Sequence, residues 1–337
     1  MSHQCAVAVR FVVLVASVAA LVWSPAAVQA QDGTTPRTGW GDPDIQGVWN
    51  NATLTPFQRP EELGMQEYLT EEEAAAIAQR QVDRNAELFD APARRTEAGG
   101  NVGAYNNFWM ERGRAVVPTL RTSVITDPPN GRLPAVTPEV ERWLNSDKAA
   151  RRTAMRRGDL PVDSYETLDG GDRCLWYRGV PSFPTGYNNN YLIVQNPDYV
   201  LILQEHIHDV RYIPLDGRPH LPASVPQFAG SSRGRWEGDT LVVETRNFND
   251  HAFIRNFNAD LTPDLVVEER FTRVSEDVLD YEFTVNDPNV WTQPWKGSLP
   301  MWLNPEPLYE YACHEGNYGL ENILAGSRAE EAAQAGK

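Results

Sequence analysis

The sequence lacks several short motifs that mark common enzyme chemistries. It has no His-Glu-x-x-His pair, no phosphate-binding P-loop and no dinucleotide fingerprint. The stretch Gly-Ser-Ser-Arg-Gly at 230–234 comes nearest to the nucleophile elbow of serine hydrolases, and we do not interpret it as one. These features disfavour an organic nucleotide cofactor and standard serine hydrolase chemistry, so no organic cofactor is predicted.

Positive charge is also in short supply. The chain has 30 Lys and Arg against 46 Asp and Glu, which gives a formal net charge of −16. An acidic surface disfavours binding to nucleic acid and to anionic membranes. We therefore expect a small-molecule ligand or substrate as the partner, whereas the composition leaves the oligomeric state open.

The N-terminus has the pattern of a secretory signal peptide, residues 1–30. Arg10 supplies the positive charge, an apolar run follows over 11–22, and Ser24-Pro25 interrupt it. Small residues at 28 and 30 predict cleavage before Gln31. Because a bilayer-spanning helix needs about 20 apolar residues, the run is too short for a membrane anchor. We expect a periplasmic or secreted protein that is not inserted in a membrane after cleavage.

Cysteine is rare, and only three are present. Cys5 lies in the predicted leader, so Cys174 and Cys313 remain. An even number of cysteines in an oxidising compartment predicts a disulfide between them. The alternative is a reactive thiol at Cys313, because His314 adjoins it.

The mature chain is predicted to be a single β-rich domain over 31–325, followed by a C-terminal tail over 326–337. Residues 31–160 form a helical and loop segment, and residues 161–325 form a β-meander. A capping box at Thr70 and Glu73 starts one helix, and Thr137 with Pro138 starts a second.

Period-two patterns and turn residues then predict short antiparallel strands. The predicted strands cover 121–126, 191–195, 199–205, 208–213, 235–237, 240–245, 265–273, 278–286, 294–303 and 308–313. The fold class is mainly β: an antiparallel meander forming a barrel or a barrel-like sandwich, with the two N-terminal helices packed outside.

Ionisable residues concentrate in three segments, of which 205–220 is the first. On a strand, His206 and His208 would point to the same side, as two imidazole ligands of one divalent metal would. His220 follows a turn and could join them. The alternative is a pair of histidines at a strand end that bind no metal.

The second segment, 234–245, is a predicted hairpin with mostly architectural residues, and the third is 309–317. His314 and Glu315 follow a predicted strand next to the expected disulfide, where a fixed histidine near a carboxylate suits acid–base catalysis. The candidate acids and bases are His208, Asp209, His220, His314 and Glu315, and the candidate substrate-binding residues are Arg211, Arg218 and Trp236.

Several long stretches resemble a widespread, largely uncharacterised family of secreted bacterial proteins. They read RTSVITDPPNGRLP, IPLDGRPHLP, GRWEGDTLVVETRNFND, TVNDPNVWTQPW and YEYACHEGNYGL. The resemblance covers nearly the whole mature chain and brings no reaction with it. Separately, Gly47-Val48-Trp49 before a β-meander is similar to the Gly-x-Trp opening of lipocalin-like barrels.

Three functions remain open at this point. The leading hypothesis is a secreted enzyme of the hydrolase, lyase or isomerase class, which acts on a small, partly apolar molecule by general acid–base chemistry. One alternative is a non-catalytic small-molecule-binding protein with a lipocalin-like barrel. The other is a metal-dependent hydrolase or lyase that uses His206 and His208.

Overall fold

Eleven antiparallel strands form the sheet of the described part of the chain, in a computed structural model that covers residues 35–90, 110–176, 180–249 and 260–336. The chain from Thr35 onward is one compact unit. The predicted leader, residues 1–30, lies outside the described residues. The strands are β1 Gly47–Asn50, β2 Ile125–Asp127, β3 Asn190–Gln195, β4 Tyr199–Gln204, β5 Val210–Pro214, β6 Ser231–Glu237, β7 Thr240–Arg246, β8 Val266–Arg273, β9 Val278–Asn286, β10 Trp295–Ser298 and β11 Met301–Asn304.

The sheet follows the order β5-β4-β3-β1-β11-β9-β8-β7-β6, and β10 joins β9 to β2. Its two edges, β5 and β6, lie side by side without a hydrogen-bonded ladder between them. Side chains fill part of the gap: a Cβ on Gly234 of β6 would come within 2.8 Å of the Ile213 side chain of β5. The sheet is therefore not closed, and we call the line where these two edges meet the seam.

Four α-helices lie in the described residues: α1 Glu71–Asp90, α2 Pro138–Leu144, α3 Asp147–Arg157 and α4 Tyr318–Ala335. The capping box that predicts α1 is confirmed, because Glu73 N–H donates to Thr70 Oγ1 and Thr70 N–H donates to the Glu73 carboxylate. The second predicted helix is two helices, since Ser146 caps a new one. Helix α4 extends into the segment 326–337, which the sequence pattern predicts to be a tail.

The core is apolar and rich in aromatic side chains. The alternation predicted for 278–286 is confirmed, because Leu279, Tyr281, Phe283 and Val285 of β9 are all buried. Trp49 of β1 is fully buried in the same cluster, with Trp291 and Trp295. Burial of such large rings is the main source of stability for the sheet.

Two predicted strands differ in the structure. The segment 294–303 is interrupted before Pro300 and forms β10 and β11. The segment 308–313 alternates like a strand but forms none, and Tyr309 is exposed. Pro305 and Pro307 lie between β11 and this segment, and proline supplies no N–H for a sheet ladder. The chain therefore leaves the sheet after Asn304.

Candidate functional site

A cleft of about 490 Å³ opens at the seam between β5 and β6. We call it the seam cleft. Its walls combine charged, hydroxyl and aromatic side chains. The residues that line it include Leu175, Trp176, Asp209, Val210, Arg211, Tyr212, Arg218, Leu221, Phe228, Ser231, Ser232 and Arg233. The cleft thus collects residues from β5, β6 and the loops that approach them.

A strained turn leads into β5 next to the seam cleft, because Asp209, the residue that follows the turn, is among the lining residues. Residues His206–His208 make a single 3-10 turn, in which Ile207 has φ +62° and His208 has φ +47°. Left-handed conformations are rare for residues with a Cβ, and rarest for β-branched ones. Such strain persists only where surrounding structure imposes it, and it concentrates at functional sites.

This turn corrects the expectation for the His-x-His pair. The sequence predicts a strand from His208 onward with His206 and His208 on one side, but β5 begins at Val210. The His206 ring is buried and stacks between Tyr187 and Tyr311, with centroids 5.5 and 4.7 Å away. Among the described residues, no group of three His, Cys, Asp or Glu side chains is arranged to hold a metal ion.

Asp209 follows the turn directly and lines the seam cleft. Burial raises the pKa of its carboxyl from 3.8 to about 7, and the charge of neighbouring His208 acts in the opposite direction. Its backbone carbonyl accepts the Gln204 N–H at 2.9 Å, which fixes the residue to the end of β4. At neutral pH this carboxyl populates both its protonated and its ionised form.

His208 is exposed and meets the third polar segment of the sequence. Its Nδ1 lies 2.9 Å from the Tyr311 carbonyl oxygen. A carbonyl only accepts hydrogen bonds, so Nδ1 carries the proton and Nε2 of the neutral ring is the acceptor. The rings of His208 and His314 have centroids 6.1 Å apart. The segments 205–209 and 311–314, distant in sequence, therefore meet beside Asp209.

His220 lies in a different environment. Its Nδ1 donates to the Ser231 carbonyl oxygen at 2.7 Å, and its Nε2 is 3.1 Å from the Glu244 carboxylate. These two contacts tie the loop before β6 to the β6–β7 hairpin. The Arg246 hydrogen bond, with a smaller contribution from His220, lowers the pKa of Glu244.

Arg211 reaches from β5 across the inner face of the sheet. Its guanidinium binds both oxygens of Glu269, at 3.0 and 2.5 Å, and both side chains are almost fully buried. The Tyr281 hydroxyl donates to Glu269 at 2.8 Å and accepts the Ser182 N–H at 3.0 Å. Burial opposes the Arg211 charge, but Glu269 outweighs it and raises the pKa of Arg211. We call these residues the Arg211–Glu269 network.

The remaining candidates lie in several places. Arg218 lines the cleft and forms an ion pair with Asp216. Trp236 packs against the core and is not among the cleft-lining residues. Glu315 is exposed just before α4.

The sequence at 230–234 is similar to the nucleophile-elbow motif, but its structure is different. Ser232 lies inside β6, and its hydroxyl is 2.9 Å from Thr245 Oγ1. An elbow requires a sharp turn between a strand and a helix. The structure therefore presents Ser232 as part of the cleft wall rather than as a raised nucleophile.

The predicted disulfide between Cys174 and Cys313 is confirmed, with Cα atoms 5.7 Å apart. It joins the segment that carries Trp176 to the segment that carries His314. Asn317 reinforces the junction, because its amide donates to the Asp172 carbonyl at 3.1 Å. The bond holds one wall of the cleft next to the histidine pair, and it is compatible with an oxidising, extracytoplasmic compartment.

Sequence reasoning missed Trp176, Phe228 and Arg233, all of which line the cleft. Trp176 could have been found, since it lies two residues after a cysteine of the predicted disulfide. Phe228 and Arg233 carry no local signal, because only the approach of β6 to β5 brings them to the cleft that Asp209 also lines.

Comparisons with family models, with curated proteins and with solved structures found no match to this chain. In the described part of the chain, no helix has both the length and the apolar composition needed to cross a membrane.

Proposed function

We propose that this protein is an exported enzyme that acts on a small, partly apolar molecule by general acid–base chemistry in the seam cleft. Asp209 is the group that transfers the proton. The observation that supports this proposal is the position of Asp209: a desolvated carboxyl in a cleft wall, placed there by a strained turn. The chemistry belongs to the isomerase, lyase or hydrolase class and uses no organic cofactor.

The protonation behaviour of Asp209 suits this role. An acid–base catalyst works best when its pKa is near the working pH, because both forms are then populated. Burial brings the pKa of Asp209 to about 7. His208 lies beside it with Nε2 as acceptor, and the His314 ring is 6.1 Å from the His208 ring. These two histidines can carry a proton between Asp209 and solvent.

The other polar residues of the site have different roles in this mechanism. Arg218 and Arg233 of the cleft wall supply positive charge to substrate oxygens. The Arg211–Glu269 network is internally paired, so it fixes the position of β5 and thereby of Asp209. His220 ties its loop to the hairpin, and Glu315 and Trp236 take no part.

The second candidate is a binding protein without catalysis. The observation that favours it is the group of exposed apolar side chains around the cleft, which can hold a ligand whether or not a reaction follows. A lipocalin-like barrel belongs to this second candidate alone, whereas a small-molecule partner and a periplasmic or secreted location are part of both proposals. The turned His206–His208 pair gives the metal-dependent alternative no support.

The test uses an isosteric variant of Asp209. The mature protein is incubated with small-molecule extracts of the producing cells and their medium, and untargeted mass spectrometry follows the compounds consumed and formed. Wild type should convert at least one compound, and Asp209→Asn should slow that conversion by about a hundredfold or more. Asp198→Asn, in the exposed turn between β3 and β4, is the matched control and should behave like wild type.

Equal turnover by Asp209→Asn and wild type would remove Asp209 from the mechanism. If wild type binds a compound from the extracts and leaves it unchanged, the binding protein replaces the enzyme as the proposed function.

A further inference from the structure

Large apolar side chains form part of the rim of the seam cleft. Five large apolar side chains that line the cleft are also exposed to solvent: Leu175, Val210, Tyr212, Leu221 and Phe228. Single exposed apolar residues are ordinary, but a contiguous group around one concavity is typical of a binding surface. The cleft therefore suits a ligand with an apolar body.

The charges inside the cleft are not evenly balanced. Arg211 is neutralised by Glu269, and Arg218 is paired with Asp216. Arg233 differs from both, because its hydrogen bonds go to backbone carbonyls of Arg218, Pro219 and Ser232. No carboxylate is among its partners in the described residues. Arg233 is thus the one cleft arginine in the described residues that forms no hydrogen bond or ion pair with an acidic side chain, although the charge of nearby Asp216 also acts on it.

The hydrogen-bonding capacity of Arg233 is only partly used. Its Nε–H points to the carbonyls of Arg218 and Pro219, one Nη1–H goes to Ser232 and one Nη2–H goes to Pro219. A guanidinium has five N–H groups, so one remains on each terminal nitrogen. Two such hydrogens match the two oxygens of a carboxylate.

The electrostatic surroundings favour an anion at this place. Burial lowers the pKa of Arg233, the nearby charge of Arg218 lowers it further, and the charge of Asp216 opposes both effects only in part, so the net shift is downward. The Arg233 cation is therefore poorly stabilised by its protein surroundings. A bound anion would relieve that cost, whereas a cationic ligand would add to it.

We propose that the seam cleft binds an amphipathic carboxylate, with the carboxylate head on Arg233 and the apolar body against the exposed rim. This inference names the substrate class of the cleft and so rests on the proposed function. A carboxylate bound here would also disfavour ionisation of Asp209, because like charges repel. Asp209 would then enter the reaction as the acid.

The experiment compares three probes with the same twelve-carbon body and different heads: dodecanoate, dodecanol and dodecyltrimethylammonium. Each is titrated below its micelle concentration into mature protein at pH 8 and physiological salt, with calorimetry as the readout. Dodecanoate should bind about tenfold or more tightly than dodecanol, as a charge-assisted contact in a partly desolvated site predicts. The cationic probe should bind weakest in the cleft.

Arg233→Gln is the decisive variant, and Arg235→Gln is its matched control. Both arginines lie on the outer face of β6, but Arg235 is exposed, pairs with Glu237 and does not line the cleft. Arg233→Gln should reduce dodecanoate affinity to that of dodecanol and leave dodecanol affinity unchanged. Arg235→Gln should keep the preference for the carboxylate. The net charge of −16 repels anions in general, so the preference must be local.

Equal affinity of wild type for dodecanoate and dodecanol would overturn the inference, as would an undiminished preference in Arg233→Gln. Repeating the titration with Asp209→Asn separates this outcome from failure of the proposed function. Retained carboxylate preference in that variant supports the inference even if no extract yields Asp209-dependent turnover. Turnover without carboxylate preference would leave the enzyme and remove this substrate class.

Discussion

Two polar regions of this protein lie within a few residues of each other and are built on opposite principles. In the Arg211–Glu269 network, every charge has a partner, and the main carboxylate accepts both a guanidinium and a hydroxyl. In the turn of residues 206–209, the backbone is left-handed at two residues, and the Asp209 carboxyl is desolvated with no Lys or Arg hydrogen-bonded to it among the described residues. Fully paired buried charges hold a structure together, whereas strained and poorly solvated groups are retained where they act.

The largest expected effect sharpens this comparison at the network. Glu269→Gln should lower the free energy of unfolding by about 3–5 kcal/mol, because it leaves Arg211 as a buried charge without its counterion. Chemical denaturation measures this. Glu268→Gln, on the outer face of β8, is the control and should cost less than about 1 kcal/mol. Similar costs for the two variants would contradict a structural role for the network.

The disulfide should have the next largest effect. Replacing Cys174 and Cys313 by Ser should lower the free energy of unfolding by about 3 kcal/mol, because the bond closes a long loop in the unfolded chain. Reduction of wild type should reproduce this loss and leave the double variant unchanged, as followed by thermal denaturation. A variant as stable as oxidised wild type would show that other contacts hold the wall of the cleft.

Asp209 should behave in the opposite sense to Glu269. Its folded pKa of about 7 lies above the ordinary 3.8, so the folded state keeps a proton that the unfolded state releases between these values. Stability contributed by the protonated carboxyl is present below about pH 4 and is lost as pH rises towards 7. Asp209→Asn should therefore match wild type at pH 4 and be more stable by about 2 kcal/mol at pH 8.

Unfolding midpoints measured across this pH range, with Asp198→Asn as control, test the sign. A destabilised Asp209→Asn at pH 8 would place Asp209 with the structural network instead of with the strained turn.

The smallest expected effect concerns His220. Glu244→Gln should lower the free energy of unfolding by less than about 1 kcal/mol, because the His220–Glu244 pair is partly exposed. A double-mutant cycle with His220→Gln measures the pair alone. If His220→Gln instead abolished turnover while preserving stability, His220 would belong to the catalytic site with Asp209 and not to the structural charge pairs.

Local sequence patterns predicted a large part of the fold. The capping box at Thr70, the hairpin at Gly238 and the buried face of β9 follow from interactions between residues close in the chain. Local patterns failed where distant contacts decide. Residues 231–234 look like a loop, yet they pair with β7 and begin β6. Alternation over 308–313 is typical of a strand, yet this segment pairs with no strand in the described part of the chain.

The candidate site was predicted only in part. Asp209, Arg211 and Arg218, which are among the candidates named from the sequence, line the cleft, and the rings of His208 and His314 lie near each other. The role of Arg211 differs from the expectation, because its guanidinium binds the buried carboxylate of Glu269. No sequence spacing indicated this partner. Arg233, the proposed partner of the ligand carboxylate, has no local sequence feature that distinguishes it from the other arginines.

The sequence alone was enough to predict most of the strands and the Cys174–Cys313 bond, and it predicted export, because these depend on periodicity, residue count and local composition. The tertiary structure decided which residues share a cleft and what each charge faces. It turned the Glu205–Asp209 segment away from a strand, left β5 and β6 without a hydrogen-bonded ladder and placed Asp209 and Arg233 in the lining of one cleft. These outcomes depend on how an eleven-stranded sheet curls until its edges meet, which is a property of the whole chain.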